Sequence, residues 1–406
     1  MKRIIGIVAA LLVLGTCWNA EGQSKGQETI QDNAQSNSQD QAQDINELIR
    51  ECMRLESSGK TKEAAEAAIG YLDVGGIDSL DVAIDVMLKE MEYSEALLRQ
   101  KIRAETDPMK KCGLRSILTI LYDKTDNHEM ALKEYLRMKW MLNGTGALGA
   151  YIAICYLRLG MTEDAIAELE SSKDDMLQID PYAYHVDLGY SYQLAGRYAE
   201  AISEYSKAVE TDPSKPAYYW NVGHCYESLG ALDKALEQYD LEAQNTPGES
   251  ELHLRRGKIF LRQWKTEQAE AEFKTVTEMD TIATGGSCRQ FALYFLGKEK
   301  EALEWMDSLV ATSPDNPTLY FKKARLCSLA GRTDEAVSAM KAACELGFNR
   351  FYFIERTPDL DNVRDIPAFK SIVETYSARH KAEAERIRNE IRGLFQPTGQ
   401  RINQQS

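Results

Sequence analysis

YAYHVDLGYSYQLAGRYAEAISEYSKAVETDP, residues 182–213, is followed after Ser214 and Lys215 by PAYYWNVGHCYESLGALDKALEQYDLEAQNTP, residues 216–247. Shifted by 34 residues, the two segments superpose Gly189 on Gly223, Tyr192 on Tyr226, Gly196 on Gly230, Ala201 on Ala235, Tyr205 on Tyr239 and Pro213 on Pro247. A fixed period of this size marks a solenoid, because one supersecondary unit cannot bury its apolar face alone and must stack on copies of itself. Within a copy, Leu188, Tyr192 and Leu194, then Ala201, Tyr205 and Ala208, have the spacing of two amphipathic helices. Gly196 falls between them, where a tight turn favours glycine. Gly189 and Ala201 are small enough to let the paired helices approach, with Tyr192 and Tyr205 filling the space beside them. Pro213 and Pro247 follow the second helix, which proline cannot continue.

Working outward, the alanine that opens the second helix serves as a reference position. Its candidate equivalents are Ala64, Ala96, Ala131, Ala165, Ala201, Ala235, Ala269, Ala302 and Ala336. Gly59, Gly160, Gly196, Gly230, Gly297 and Gly331 each lie five residues earlier. The copies at Ala64 and Ala96 lack most of the large signature residues, and the copy at Ala302 enters its first helix through Gly285 and Gly286. Trp140 and Trp264 are read as packing residues at repeat junctions.

These features resemble the tetratricopeptide repeat family, whose unit is a helix-turn-helix of 34 residues. In that family's order of key positions the chain has His185, Leu188, Gly189, Tyr192, Ala201, Tyr205, Ala208 and Pro213. The resemblance implies an all-α, right-handed superhelical solenoid with C-terminal capping helices. Residues 45–347 would form about seven to nine helical hairpins. The stretch around Leu346, Gly347, Asp359, Leu360, Val363, Arg364, Pro367 and Phe369 resembles the half-repeat that closes many such arrays, and residues 348–395 would form it together with a long capping helix.

Composition narrows the class of partner. A formal net charge of −15 argues against nucleic acid or an anionic membrane surface, both of which are bound through surplus Lys and Arg. At the start of the chain, Lys2 and Arg3 precede an apolar run from Ile4 to Leu14, the pattern of an export signal over residues 1–22. Two processing readings stand. Cleavage after Gly22 would free a soluble protein, whereas Leu14-Gly15-Thr16-Cys17 resembles a lipobox that would end the signal before Cys17 and lipidate that residue. Residues 23–44 are polar and read as a disordered spacer, and residues 396–406 as a disordered tail. The expected location is the periplasm or cell envelope, with any membrane contact made through the lipid on Cys17.

No Gly-rich phosphate loop, GxSxG elbow, HExxH motif or CxxC pair occurs, so the sequence offers no catalytic, cofactor or metal site. His185 and His253 share one repeat position and read as packing residues. Seven cysteines besides Cys17 are spread over separate repeats; Cys155, Cys225 and Cys327 read as small buried hydrophobes, and only Cys327 with Cys344 offers a pair within one repeat.

What the resemblance implies is a concave groove lined by the first helices, at Val186, Tyr190, Gln193, Trp220, His224, Glu227, Leu254, Lys258 and Leu261, with Tyr190 and Trp220 as aromatic anchors. The clamp by which some members of the family hold acidic C-terminal peptides corresponds to Val186, Tyr190, Asn221, Glu251 and Arg255. Only Asn221 and Arg255 fit it, and Glu251 would repel the ligand's carboxylate. The functional expectation is a non-enzymatic scaffold or adaptor that binds a protein or peptide in this groove. The alternative is a regulatory or substrate-delivery module for an envelope hydrolase or protease, acting in trans or through a further C-terminal domain. A carbohydrate-capture lipoprotein ranks last, because the repeat spacing leaves no room for the long insertions such proteins carry.

Overall fold

The computed structural model describes residues 50–73, 80–215, 218–246, 248–280 and 288–395. The export signal, Cys17, the polar spacer, Pro247, the Gly285-Gly286 pair and the tail lie outside the described residues. Among those described, the secondary structure is helical and contains no strand. None of these helices is long and apolar enough to cross a membrane.

The chain divides into two compact units, residues 1–158 and 159–406, the boundary falling inside the copy ruled by Ala165. In the first unit, residues 50–57 are helical. They are followed by α1 (Thr61–Asp73), α2 (Leu80–Lys89), α3 (Met91–Ala104), α4 (Pro108–Lys124), α5 (His128–Met141) and α6 (Gly149–Arg158). The second unit begins with α7 (Thr162–Ser171) and α8 (Lys173–Ile179). Its hairpins are α9 (Pro181–Ala195) with α10 (Tyr198–Thr211), α11 (Tyr219–Ser228) with α12 (Leu232–Asn245), and α13 (Ser250–Arg262) with α14 (Thr266–Met279). Next come α15 (Arg289–Phe295) with α16 (Glu299–Thr312), and α17 (Pro317–Leu329) with α18 (Thr333–Glu345). The cap comprises α19 (Phe351–Arg356), a single 3₁₀ turn, α20 (Asp361–Arg364) and the long α21 (Pro367–Leu394).

Each repeat feature has its local cause. The turn residue five positions before the reference alanine has positive φ at all six glycines, and also at Asp126 (φ 54°) and Trp264 (φ 62°). A left-handed residue there lets the next amide bond back to the carbonyl five residues earlier, as from Arg197 to Tyr192 and from Lys265 to Phe260, both at 2.9 Å. Glycine adopts this conformation without steric cost; tryptophan does not. Trp264 is 91% exposed and Trp140 67% exposed, so neither is buried at a repeat junction as expected.

The glycine–aromatic pairing is direct. A Cβ on Gly189 would lie 3.1 Å from Tyr205, one on Gly223 2.6 Å from Tyr239, and one on Gly257 2.5 Å from Phe273. These three rings are buried between the two helices of their own hairpins. Each contributes roughly 1.5–3 kcal/mol by leaving water.

The reference position needs one correction. Ala96 is exposed, whereas Ser94 is fully buried. The Ser94 amide bonds the carbonyl of Glu90, four residues back, at 2.9 Å, as each of the other reference alanines does at 3.0–3.1 Å. The slot demands a small side chain rather than alanine, and the Ser94 hydroxyl is satisfied inside it by the Met87 carbonyl at 3.0 Å.

His185 and His253 are held within their hairpins. His185 Nδ1 lies 2.7 Å from Glu204 and His253 Nδ1 2.6 Å from Glu272, and Arg115 reaches Glu134 over the same separation of 19 residues. The seven described cysteines are buried and unpaired, so Cys327 and Cys344 form no disulfide. Burial pushes the Cys112, Cys327 and Cys344 thiols up to about 11.

Candidate functional site

The first helices of the second unit place one residue per copy eleven positions before the reference alanine: Tyr190, His224, Lys258, Phe291 and Arg325. Gln193, Glu227, Leu261, Tyr294 and Ser328 follow three residues later, on the same helical face. Much of this face is already committed to internal contacts.

At its N-terminal end, the Gln193 side-chain oxygen accepts from Tyr205 and from Asn221, both at 2.9 Å. That fixes the amide, so its nitrogen donates to His224 Nδ1 at 3.2 Å, and the imidazole proton must sit on Nε2. Tyr198 stands edge-on to the imidazole at 6.3 Å. Burial first, then the Arg255 charge, lowers the His224 pKa to about 4, against the opposing pull of Glu227 and Glu251. His224 is therefore neutral at physiological pH.

The next contacts centre on Arg255. It bonds Glu227 at 3.0 Å and Glu251 at 3.2 Å, and lies 5.0 Å from the Trp220 ring. Glu227 also accepts from Tyr239 at 2.9 Å, and Glu251 accepts from the Cys288 thiol at 3.0 Å. Burial works to raise the Glu251 carboxyl; Arg255, the thiol bond, Lys322 and Arg325 outweigh it and hold the group at about 2.

At the C-terminal end, Lys258 and Arg325 converge on Asp359 of the cap. Lys258 Nζ sits 2.9 and 3.1 Å from the two carboxylate oxygens, and Arg325 Nη2 2.6 Å from one of them. Arg325 also stacks on Phe291, with its guanidinium 4.7 Å from the ring centre. Asp359 is 4% exposed. Its burial raises the carboxyl, but Arg325 and then Lys258 overcome that and bring it to about 2. Asn362 adds a bond from its side chain to the Ser328 carbonyl at 2.9 Å.

The expected groove residues thus divide. Tyr190, 39% exposed, presents its ring to solvent. Trp220 is half-buried against Tyr239, with ring centres 5.6 Å apart. Gln193, His224 and Glu227 belong to the polar network, and Lys258 is consumed by Asp359. Leu254 and Val186 are buried in separate apolar clusters and offer no ligand surface, a correction to the expected set. Their position faces the neighbouring helix rather than the open side. Of the two clamp-like residues, Asn221 serves Gln193 and Arg255 is neutralised by two glutamates, so neither is available to a terminal carboxylate. Asp359, Arg325 and Phe291 were not among the expected site residues. Lys258 and Arg325 share one register position without an acidic neighbour at helical spacing, a signal that a distant carboxylate was needed. Among the described residues no group of three or more His, Cys, Asp or Glu side chains comes together as a metal site would require.

Comparison with known proteins bears on the family. Residues 186–250 and 317–346 each match a model of the tetratricopeptide repeat. A search of curated proteins finds no match. Among solved structures, MamA from Desulfovibrio magneticus is similar at 18% identity over 41% of this chain and 94% of that one, with a TM-score of 0.38. A tetratricopeptide repeat protein from Parabacteroides merdae is 16% identical over 79% of this chain and 98% of that one, with a TM-score of 0.39. PilF of Pseudomonas aeruginosa is 22% identical over 48% of this chain and 88% of that one, with a TM-score of 0.34. Likenesses this low carry nothing about partner or place in the cell. The two matched segments, the hairpins that repeat around them and the left-handed turns between their helices identify the chain as a tetratricopeptide repeat protein.

Proposed function

We propose that this chain is a non-enzymatic scaffold that holds a protein or peptide segment against the first-helix face of its second unit. The observation that carries this reading is the exposed Tyr190 ring, set beside Gln193 and His224 on a face otherwise tied down by hydrogen bonds. A large rigid aromatic on a pre-ordered surface is the kind of anchor that dominates binding energy. A photo-crosslinking side chain at position 190 should give a discrete adduct from native extracts, and one at Glu237, an exposed residue of α12, should give none. The same adduct from both positions, or an adduct from 237 alone, removes the assignment.

The scaffold is further proposed to act in a bacterial cell envelope. Support comes from Lys2, Arg3 and the apolar run from Ile4 to Leu14. The mass of the mature N-terminus tests it: an acylated Cys17 or a free Gln23 agrees, and an intact Met1 in protein recovered from cells refutes it.

A further inference from the structure

The cap does more than cover the last hairpin. Ile354, Leu360, Val363 and Phe369 are buried in the same apolar cluster as residues of α17 and α18, which anchors the near end of α21. With 28 residues, α21 is about 42 Å long at the α-helical rise. Its far end meets the copy ruled by Ala165, five copies before the last. There Arg388 bonds both carboxylate oxygens of Asp164, Nε at 3.0 Å and Nη2 at 2.8 Å. His380 lies so close over Gly160 that a Cβ there would fall 2.5 Å from its Nε2. Along the same return path, Arg356 covers the Gly196 turn, where a Cβ would fall 1.4 Å from Nη1. The Tyr352 hydroxyl is buried without a hydrogen-bond partner, and its ionisation is opposed by burial and by the nearby Tyr190 and Tyr198.

The two ends differ in chemistry. The near end is held by four buried apolar side chains. The far end relies on a half-exposed ion pair, a histidine over a glycine, and Ala384 and Ile387 as the buried residues of the distal half. Solvent competes for the first of these contacts, so the far end is the weaker attachment.

The geometry points to α21 and α19 forming a strap across the second unit, hinged at the Leu360–Phe369 cap and latched by Arg388 on Asp164, whose release frees the distal half of α21 from the copy ruled by Ala165 while the cap stays seated. The latch stands on its own contacts. Hydrogen exchange of the full chain tests the latch in Asp164→Arg, Arg388→Asp and the double charge swap. Each single variant should raise exchange of amides 380–394 at least ten-fold while amides 358–369 stay within two-fold of wild type, and the swap should recover most of the loss. Unchanged exchange in the singles, an equal rise in the cap amides, or a swap that recovers nothing would overturn the strap. Adducts from position 190 bear on the scaffold reading alone, so the two failures are separable.

Discussion

Asp359→Asn is the sharpest perturbation the structure offers, because it removes one charge and almost no volume. Wild-type Asp359 is held at about 2 against an ordinary 3.8, a difference worth roughly 2 kcal/mol at neutral pH. The sign follows from the depressed folded value. The stabilisation is complete above pH 3.8 and disappears as pH falls through about 2, where the folded carboxylate takes up its proton. By the same relation roughly half of that contribution remains at pH 3 and little of it at pH 2. The asparagine would leave Lys258 and Arg325 facing an amide, so a loss of about 2–3 kcal/mol at pH 7 is expected. Native-state hydrogen exchange of residues 358–364, corrected for intrinsic rates, reads this locally, which matters in a solenoid whose ends can open separately from its middle. A difference between variant and wild type below about 1 kcal/mol at pH 7 would refute the reasoning, as would one of constant size from pH 7 to pH 2.

His224 supplies an opposite group with the same direction of pH dependence. Its folded pKa of about 4 lies below the ordinary 6.5, so the unfolded chain binds the proton first and stability falls as pH drops from 6.5 toward 4. About 2 kcal/mol should be lost locally by pH 5, where the imidazolium would face the Gln193 amide donor and Arg255, with Glu227, Glu251 and Tyr198 also close. His224→Gln should flatten the profile in that window, and an imidazole titration midpoint near 6.5 in the folded protein would contradict the assignment. Trp264→Gly should raise the unfolding free energy by about 0.5–1 kcal/mol, read as a higher urea midpoint, since it relieves a left-handed tryptophan that is almost fully exposed; a loss of similar size would show that the ring packs. Gly223→Ala should destabilise by about 1–3 kcal/mol by driving a methyl into the buried Tyr239. Gly113→Ala, in a helix interior with nothing within 4 Å, should stabilise by about 0.5–1 kcal/mol. Equal effects from the two alanines, read by urea denaturation, would deny the close-packing account.

Periodicity made the hairpins readable because each slot imposes a size on one residue of every copy. Gly189, Gly223 and Gly257 face their rings as the spacing implied. Residue type is a poor guide where a slot fixes only size or backbone conformation. Ser94 fills the slot assigned to Ala96, since either side chain is small enough. Asp126 and Trp264 take a turn conformation that glycine adopts elsewhere, so a search for glycine alone misses both copies. The first-helix face was legible as a set of positions and illegible as a set of partners. Lys258 meets a carboxylate 101 residues away, a distance at which no helical spacing carries information. Leu254 and Val186 show the same limit from the other side: their register position turns toward a neighbouring helix, which only packing reveals.

The Lys258–Asp359–Arg325 bridge also bears on how the array responds to force. A stack of hairpins joined only to nearest neighbours behaves as a spring, extending through many small rotations at its interfaces. Asp359 ties together helices two copies apart, with Phe291 of the intervening copy beneath Arg325, so twisting any of those three hairpins stretches bonds already 2.6–3.1 Å long. The last three copies should therefore deform as a block. Elastic compliance in this unit is then concentrated in the hairpins around Ala201 and Ala235, where Tyr190 and Trp220 sit and where a partner of variable shape would be accommodated.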